Sequence, residues 1–69
     1  MTLENILSTI SARDDISIQS GDLVEVNGTG ILFNGKCADF RSTCENAHKY
    51  LDKKVDAIRA YKSIIVILL

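Results

Sequence analysis

Six consecutive apolar residues, Ile64-Ile65-Val66-Ile67-Leu68-Leu69, close a sequence of 69. A strand with one wet face alternates apolar and polar residues, whereas this run gives water nothing on either side. Both of its faces need cover, and so short a chain has little else to cover them with. The expectation is that a second copy, or another protein, supplies part of it. That makes the working unit a homo-oligomer, dimer or higher, with Ile65, Ile67 and Leu69 in the interface.

Size points the same way. A single domain of 69 residues rarely holds more than ~3–5 kcal/mol of net stability without a staple. Two cysteines, one histidine and no proline offer none. The apolar fraction of 46% argues for a folded domain rather than a disordered one. Net charge is −1, which gives no bulk attraction to nucleic acid or anionic lipid. Charge is nevertheless divided along the chain. Residues 1–25 set Arg13 against Glu4, Asp14, Asp15, Asp22 and Glu25, whereas residues 49–62 set Lys49, Lys53, Lys54, Arg59 and Lys62 against Asp52 and Asp56. Met1–Ile6 carries no basic leader. The apolar run is far shorter than the ~20 residues of a membrane-spanning helix. The expectation is a cytoplasmic protein with free thiols and no membrane partner. The glycosylation-like Asn27-Gly28-Thr29 carries no weight without a secretion signal.

Local patterns give the elements. Thr2 can cap a helix in which Leu3, Ile6, Leu7 and Ile10 form one apolar face, predicting a helix over about Leu3–Ala12. Ile16-Ser17-Ile18-Gln19 alternates as a half-buried strand, Ser20-Gly21-Asp22 turns, and Leu23-Val24-Glu25-Val26 reads as the return strand. Asn27-Gly28-Thr29-Gly30 is a second turn and Ile31-Leu32-Phe33 a third short strand, closed by Asn34-Gly35. Cys37, Phe40, Cys44, Ala47 and Leu51 then form one helical stripe, predicting a helix over about Ala38–Lys53. Val55–Tyr61 and Ile64–Leu69 follow as a hairpin turning at Lys62-Ser63. The predicted fold class is α+β: a small antiparallel sheet with two helices on one face, a C-terminal β-hairpin, and association through the terminal strand, sheet on sheet or edge on edge.

Met1-Thr2-Leu3 opening a short helix, Gly35-Lys36-Cys37-Ala38-Asp39-Phe40, Leu51-Asp52-Lys53-Lys54-Val55 and the final strand pair together resemble small α+β proteins of Firmicutes phages and mobile elements. Those proteins run helix, hairpin, a G-K-x-x-D-F-like segment, then L-D-x-x-V leading into two strands. This chain departs from them in its longer middle helix, about Arg41–Tyr50, and its apolar end. The resemblance implies the fold class and a phage-like origin, and it implies no activity.

The candidate chemistry is sparse. Cys44, His48 and Asp52 are spaced four apart on one helical stripe, the inventory of a nucleophile, its base and its orienter, or of three zinc ligands. A triad strung along one helix brings no oxyanion donors, and zinc lacks a fourth ligand, so a structural role is expected. Within one helix Cys37 and Cys44 would lie ~10.5 Å apart, beyond disulfide reach. Gly28, Gly30 and Gly35 do not make a dinucleotide fingerprint and read as turn glycines. The expectation is therefore no catalysis, no cofactor and no metal.

Arg59 and Tyr61 lie one pleat apart on one side of their strand. They either grip a partner or pack at the rim of the sheet. With Lys49 and Lys53 they form the expected contact site. The leading expectation is an accessory protein that binds a host protein, such as a defence component, and inhibits or redirects it. The alternative is an oligomer sequestering a small nucleotide-like anion with Lys49, Lys53, Lys54, Arg59 and Tyr61. A DNA-binding role is disfavoured by the net charge and the lack of a helix-turn-helix pattern.

Overall fold

The computed structural model describes residues 1–24, 28–44 and 47–69. Helix α1 spans Leu3–Thr9 and starts with a reciprocal cap: Thr2 Oγ1 accepts from the Asn5 N–H at 3.3 Å, and Asn5 Oδ1 accepts from the Thr2 N–H at 3.0 Å. Two of its first N–H groups find carbonyls elsewhere in the chain, Leu3 donating to Lys53 at 2.9 Å and Glu4 to Leu51 at 3.0 Å. The helix stops short of Ala12 because its last turn is contested. Ser8 Oγ donates to the Glu4 carbonyl at 2.9 Å and Thr9 Oγ1 to that of Ile6 at 2.8 Å, and Ile10 is already extended.

Four strands follow: β1 (Asp15–Gln19), β2 (Ile31–Lys36), β3 (Ala57–Tyr61) and β4 (Ile64–Leu68), arranged side by side as β2-β1-β4-β3. The sheet is mixed rather than antiparallel. β1/β2 and β3/β4 are antiparallel, but β1 and β4 run parallel, with Ile16 opposite Ile65 and Ile18 opposite Ile67. β4 is therefore central. The apolar run has a strand on each side and no free edge, so pairing edge on edge is open only to β2 and β3.

Two local expectations give way. β1 is paired on both sides by β2 and β4, so a local return strand has no place beside it. Gly21–Leu23 form instead a 3₁₀ turn, with the Leu23 N–H donating to the Ser20 carbonyl at 3.1 Å, and Val24 is right-handed helical. Glu25 and Val26 of that expected strand lie outside the described residues. Asn34-Gly35, expected to close β2, belongs to it. A β-carbon on Gly35 would meet Phe33 Cζ at 3.0 Å, so glycine lets the Phe33 ring lie along its own strand.

The middle helix is interrupted. A 3₁₀ turn at Cys37–Asp39 leads into α2 (Phe40–Thr43), Cys44 is extended, and α3 (Ala47–Tyr50) resumes. Ser42 and Thr43 hydroxyls both donate back to the Asp39 carbonyl, at 3.2 and 2.7 Å, inside this short helix. Glu45 and Asn46 of the expected helix lie outside the described residues. The stripe still points inward, with Phe40 and Ala47 buried and Cys44 and Leu51 partly so.

One face of the sheet is covered. Ile16, Ile18 and Ile67 pack there with Leu3, Ile6, Leu7, Phe40 and Ala47, and Phe33 meets Phe40 edge to face at 5.3 Å between ring centres. Among the described residues no helix is long and apolar enough to cross a membrane.

Candidate binding face of the sheet

Strand alternation turns a second set of residues to the uncovered face. Ser17 and Gln19 come from β1, Ile31 and Asn34 from β2, and Ile64, Val66 and Leu68 from β4, with Arg59 and Tyr61 on β3 opposite Val66 and Ile64. Ser17, Gln19, Ile31, Asn34, Tyr61, Ile64 and Val66 line one shallow trough across all four strands. Its floor is polar on β1, where Gln19 Nε2 donates to Ser17 Oγ at 3.1 Å, and apolar on β4. Tyr61 stands at one end, 63% exposed, with Lys62 Nζ 5.6 Å from its ring centre. Asp15 and Lys36, also on this face, sit opposite each other in β1 and β2 and form an ion pair at 3.0 Å.

The expected contact residues divide between two sides. Arg59 and Tyr61 lie with the open face, and both are exposed. Lys49 is on α3, and Lys53 sits in the turn whose carbonyl receives the first N–H of α1; both are exposed and belong to the helix layer. The expected interface residues divide as well. Ile67 is fully buried by its own chain, and Ile65 and Leu69 pack partly buried against the same core. It is Ile64, Val66 and Leu68 that face outward. Sequence reasoning did not single out Ser17, Gln19, Ile31 or Asn34. The signal for the first two was present, because Ile16 and Ile18 already assign the other face of β1 to the core.

Cys44 and His48 line a shallow groove with Arg41, Ala47 and Leu51, without Asp52. Among the described residues no group of three His, Cys, Asp or Glu side chains is placed to hold a metal ion. Both cysteines are unpaired. Cys37 lies in a separate groove between α1 and the turn before α2, its Sγ 3.8 Å from the Leu7 carbonyl oxygen. Burial pushes the Cys37 thiol pKa up, and Asp14 adds to this while Arg41 opposes it. Gly28 and Gly30 have φ of 77° and 75°, which only glycine adopts freely.

No family model, curated protein or solved structure matches the chain.

Proposed function

We propose that the protein is a small phage-like accessory protein of the cytoplasm that acts by non-catalytic binding, docking on a host protein and inhibiting or redirecting it. The observation that carries this reading is the uncovered sheet face. In so small a domain, a trough floored by Val66 and Ile64 and ended by an exposed Tyr61 is where an aromatic anchor and apolar area coincide. Tyr61 and Arg59 anchor the contact, and the exposed Asp14 stays in solvent. Sequestration of a nucleotide-like anion is the weaker reading, because Lys49 and Lys53 stand in the helix layer and do not converge with Arg59 and Tyr61.

The test compares tagged wild-type protein with Arg59→Ala and Tyr61→Ala as baits in host lysate. The wild type should retain one protein in stoichiometric amount, and each folded variant should lose ~1–3 kcal/mol of that affinity. Folded variants that retain the partner in full, while changes at Asp14 or Asp22 release it, would refute the assignment. A co-purifying ultraviolet-absorbing small molecule in place of a protein would favour sequestration.

A further inference from the structure

We infer that β3 is the seam through which two copies of this chain pair, antiparallel about a twofold axis beside Ala60, with each Arg59 opposite Tyr61 of the partner subunit. This deepens the homo-oligomer expectation and rests on the reading of a binding protein only in that the seam would enlarge its open face.

The sheet has two edges, and they are unlike. β2 carries a register shift opposite Ile18/Gln19, a glycine within the strand and Lys36 at its end, all features that discourage further pairing. β3 has an unbroken register from Ala57/Leu68 to Tyr61/Ile64, no proline and one charge. Cover also fails on both of its faces. On the helix side Ile58 is 48% exposed, although Ile67 directly opposite is at 0%. The core ends one strand short of the sheet, and on the other face Tyr61 and Arg59 are exposed.

Hydrogen-bond parity shows which backbone groups are free to pair. Leu69 donates to the Gln19 carbonyl at 2.8 Å, and Leu68 accepts from the Asp56 N–H at 2.7 Å. Odd residues of β4 therefore bond toward β1 and even ones toward β3. Their partners Ala57, Arg59 and Tyr61 are engaged inward, and Ile58 and Ala60 turn their N–H and C=O groups outward. Self-pairing is then centred on residue 58, 59 or 60. Centring on Arg59 sets two guanidinium groups opposite each other, which is unfavourable. Centring on Ile58 sets each Arg59 against an alanine. Centring on Ala60 sets a small residue at the axis and each Arg59 against a Tyr61 ring in the closer, non-bonded type of pair. The strand is self-complementary in that register, which is why the partner is a second copy. The axis stands perpendicular to the sheet, so both open faces fall on one side.

The test uses Cys37→Ser/Cys44→Ser chains bearing one new thiol. Ala60→Cys should close a disulfide across the axis under mild oxidation, because opposed bonded residues lie ~5.5 Å apart, within disulfide range. The product runs at twice 7.6 kDa on a non-reducing gel. Ile58→Cys should not link, since its copies would lie roughly 13 Å apart. Ala60→Pro removes only an outward N–H, and should weaken self-association by about tenfold or more in light scattering while the fold persists. Linkage through Ile58→Cys and not Ala60→Cys, or through neither with wild-type mass staying at 7.6 kDa into the millimolar range, overturns the inference. A seam that forms while Tyr61→Ala keeps its captured host protein would sink the functional reading alone, and capture without a seam would sink this one alone.

Discussion

Neighbouring residues of β4 should differ sharply in what they contribute, although all are apolar. Ile67→Ala removes three carbons from a side chain at 0% exposure. At ~0.8 kcal/mol per buried methylene the transfer loss is about 2.4 kcal/mol. The space left between Ile18 and the helix layer adds to this, giving a total of ~3–4 kcal/mol. A domain of this size rarely holds more than ~3–5 kcal/mol in all, so the variant should keep at most about 2 kcal/mol of stability. Val66→Ala removes two carbons from a half-buried side chain on the open face and should cost about 1 kcal/mol or less. The assay is urea unfolding followed by far-ultraviolet circular dichroism, with Ile67→Val as a milder step of ~0.5–1.5 kcal/mol where the alanine variant is too unstable to titrate. Ile65→Ala should fall between the two, and Ile64→Ala beside Val66→Ala. Equal losses along Ile64–Leu68, or a larger loss at Val66 than at Ile67, would refute the assignment of faces.

Gly35→Ala should cost about 1–3 kcal/mol, because φ is 155° there and the new methyl would press on the Phe33 ring. The loss should shrink in a Phe33→Ala background, and thermal melts of the four chains measure that coupling. Lys62 opens the β3–β4 loop with φ of 55°, a region costly for any residue but glycine. Lys62→Gly should therefore raise stability by about 0.5–1 kcal/mol, and a lower melting temperature would contradict the turn geometry. The Cys37 thiol has its pKa raised above 9.0 by burial. A group whose folded pKa exceeds its unfolded one contributes stability below the unfolded value and loses it as pH rises through the folded value. Stability should thus decline on the alkaline side of 9.0 and decline less in Cys37→Ser. Cys37 should also react more slowly with a thiol reagent in the folded chain than in urea, and equal rates would show the thiol to be uncovered.

Local features were legible where a local cause sufficed. The Thr2 cap and the Leu3, Ile6 and Leu7 face gave α1, and the alternation of Ile16 and Ile18 with Ser17 and Gln19 gave β1 and both of its faces. What escaped was whatever depended on distant partners. The parallel pairing of β1 with β4 joins residues 49 positions apart, Ile16 with Ile65, and no turn between them announces it. Leu23 and Val24 of the expected return strand had the right period, but β2 and β4 occupy both places beside β1. In the middle helix, the apolar stripe placed Phe40 and Ala47 correctly against the core. The extended backbone at Cys44 leaves no mark in that periodicity. Lys49, Lys53, Arg59 and Tyr61 gather positive charge beside an aromatic in the sequence, yet the turn at residues 51–53 leaves the lysines on the layer opposite the strand pair.

The deepest limit lies in β4 itself. A one-residue slip exchanges the two faces of a strand, and alternation ordinarily forbids it by burying polar groups. In Ile64–Leu68 the slip would exchange Ile65 and Ile67 for Ile64, Val66 and Leu68, all apolar, so the strand carries no instruction about which set belongs inside. The instruction comes from its neighbours. β1 offers Ile16 and Ile18 to the core and withholds Ser17 and Gln19, so the partner residues at 65 and 67 are drawn inward with them. The two-residue loop at Lys62-Ser63 fixes Tyr61 opposite Ile64, and the Leu69 N–H meets Gln19 at the far end. The same pairings hold Arg59 and Tyr61 on the open side with Val66. The apolar run that made association the first expectation could not say which of its residues would carry it, because the outward face of β4 is chosen by the polar residues of β1.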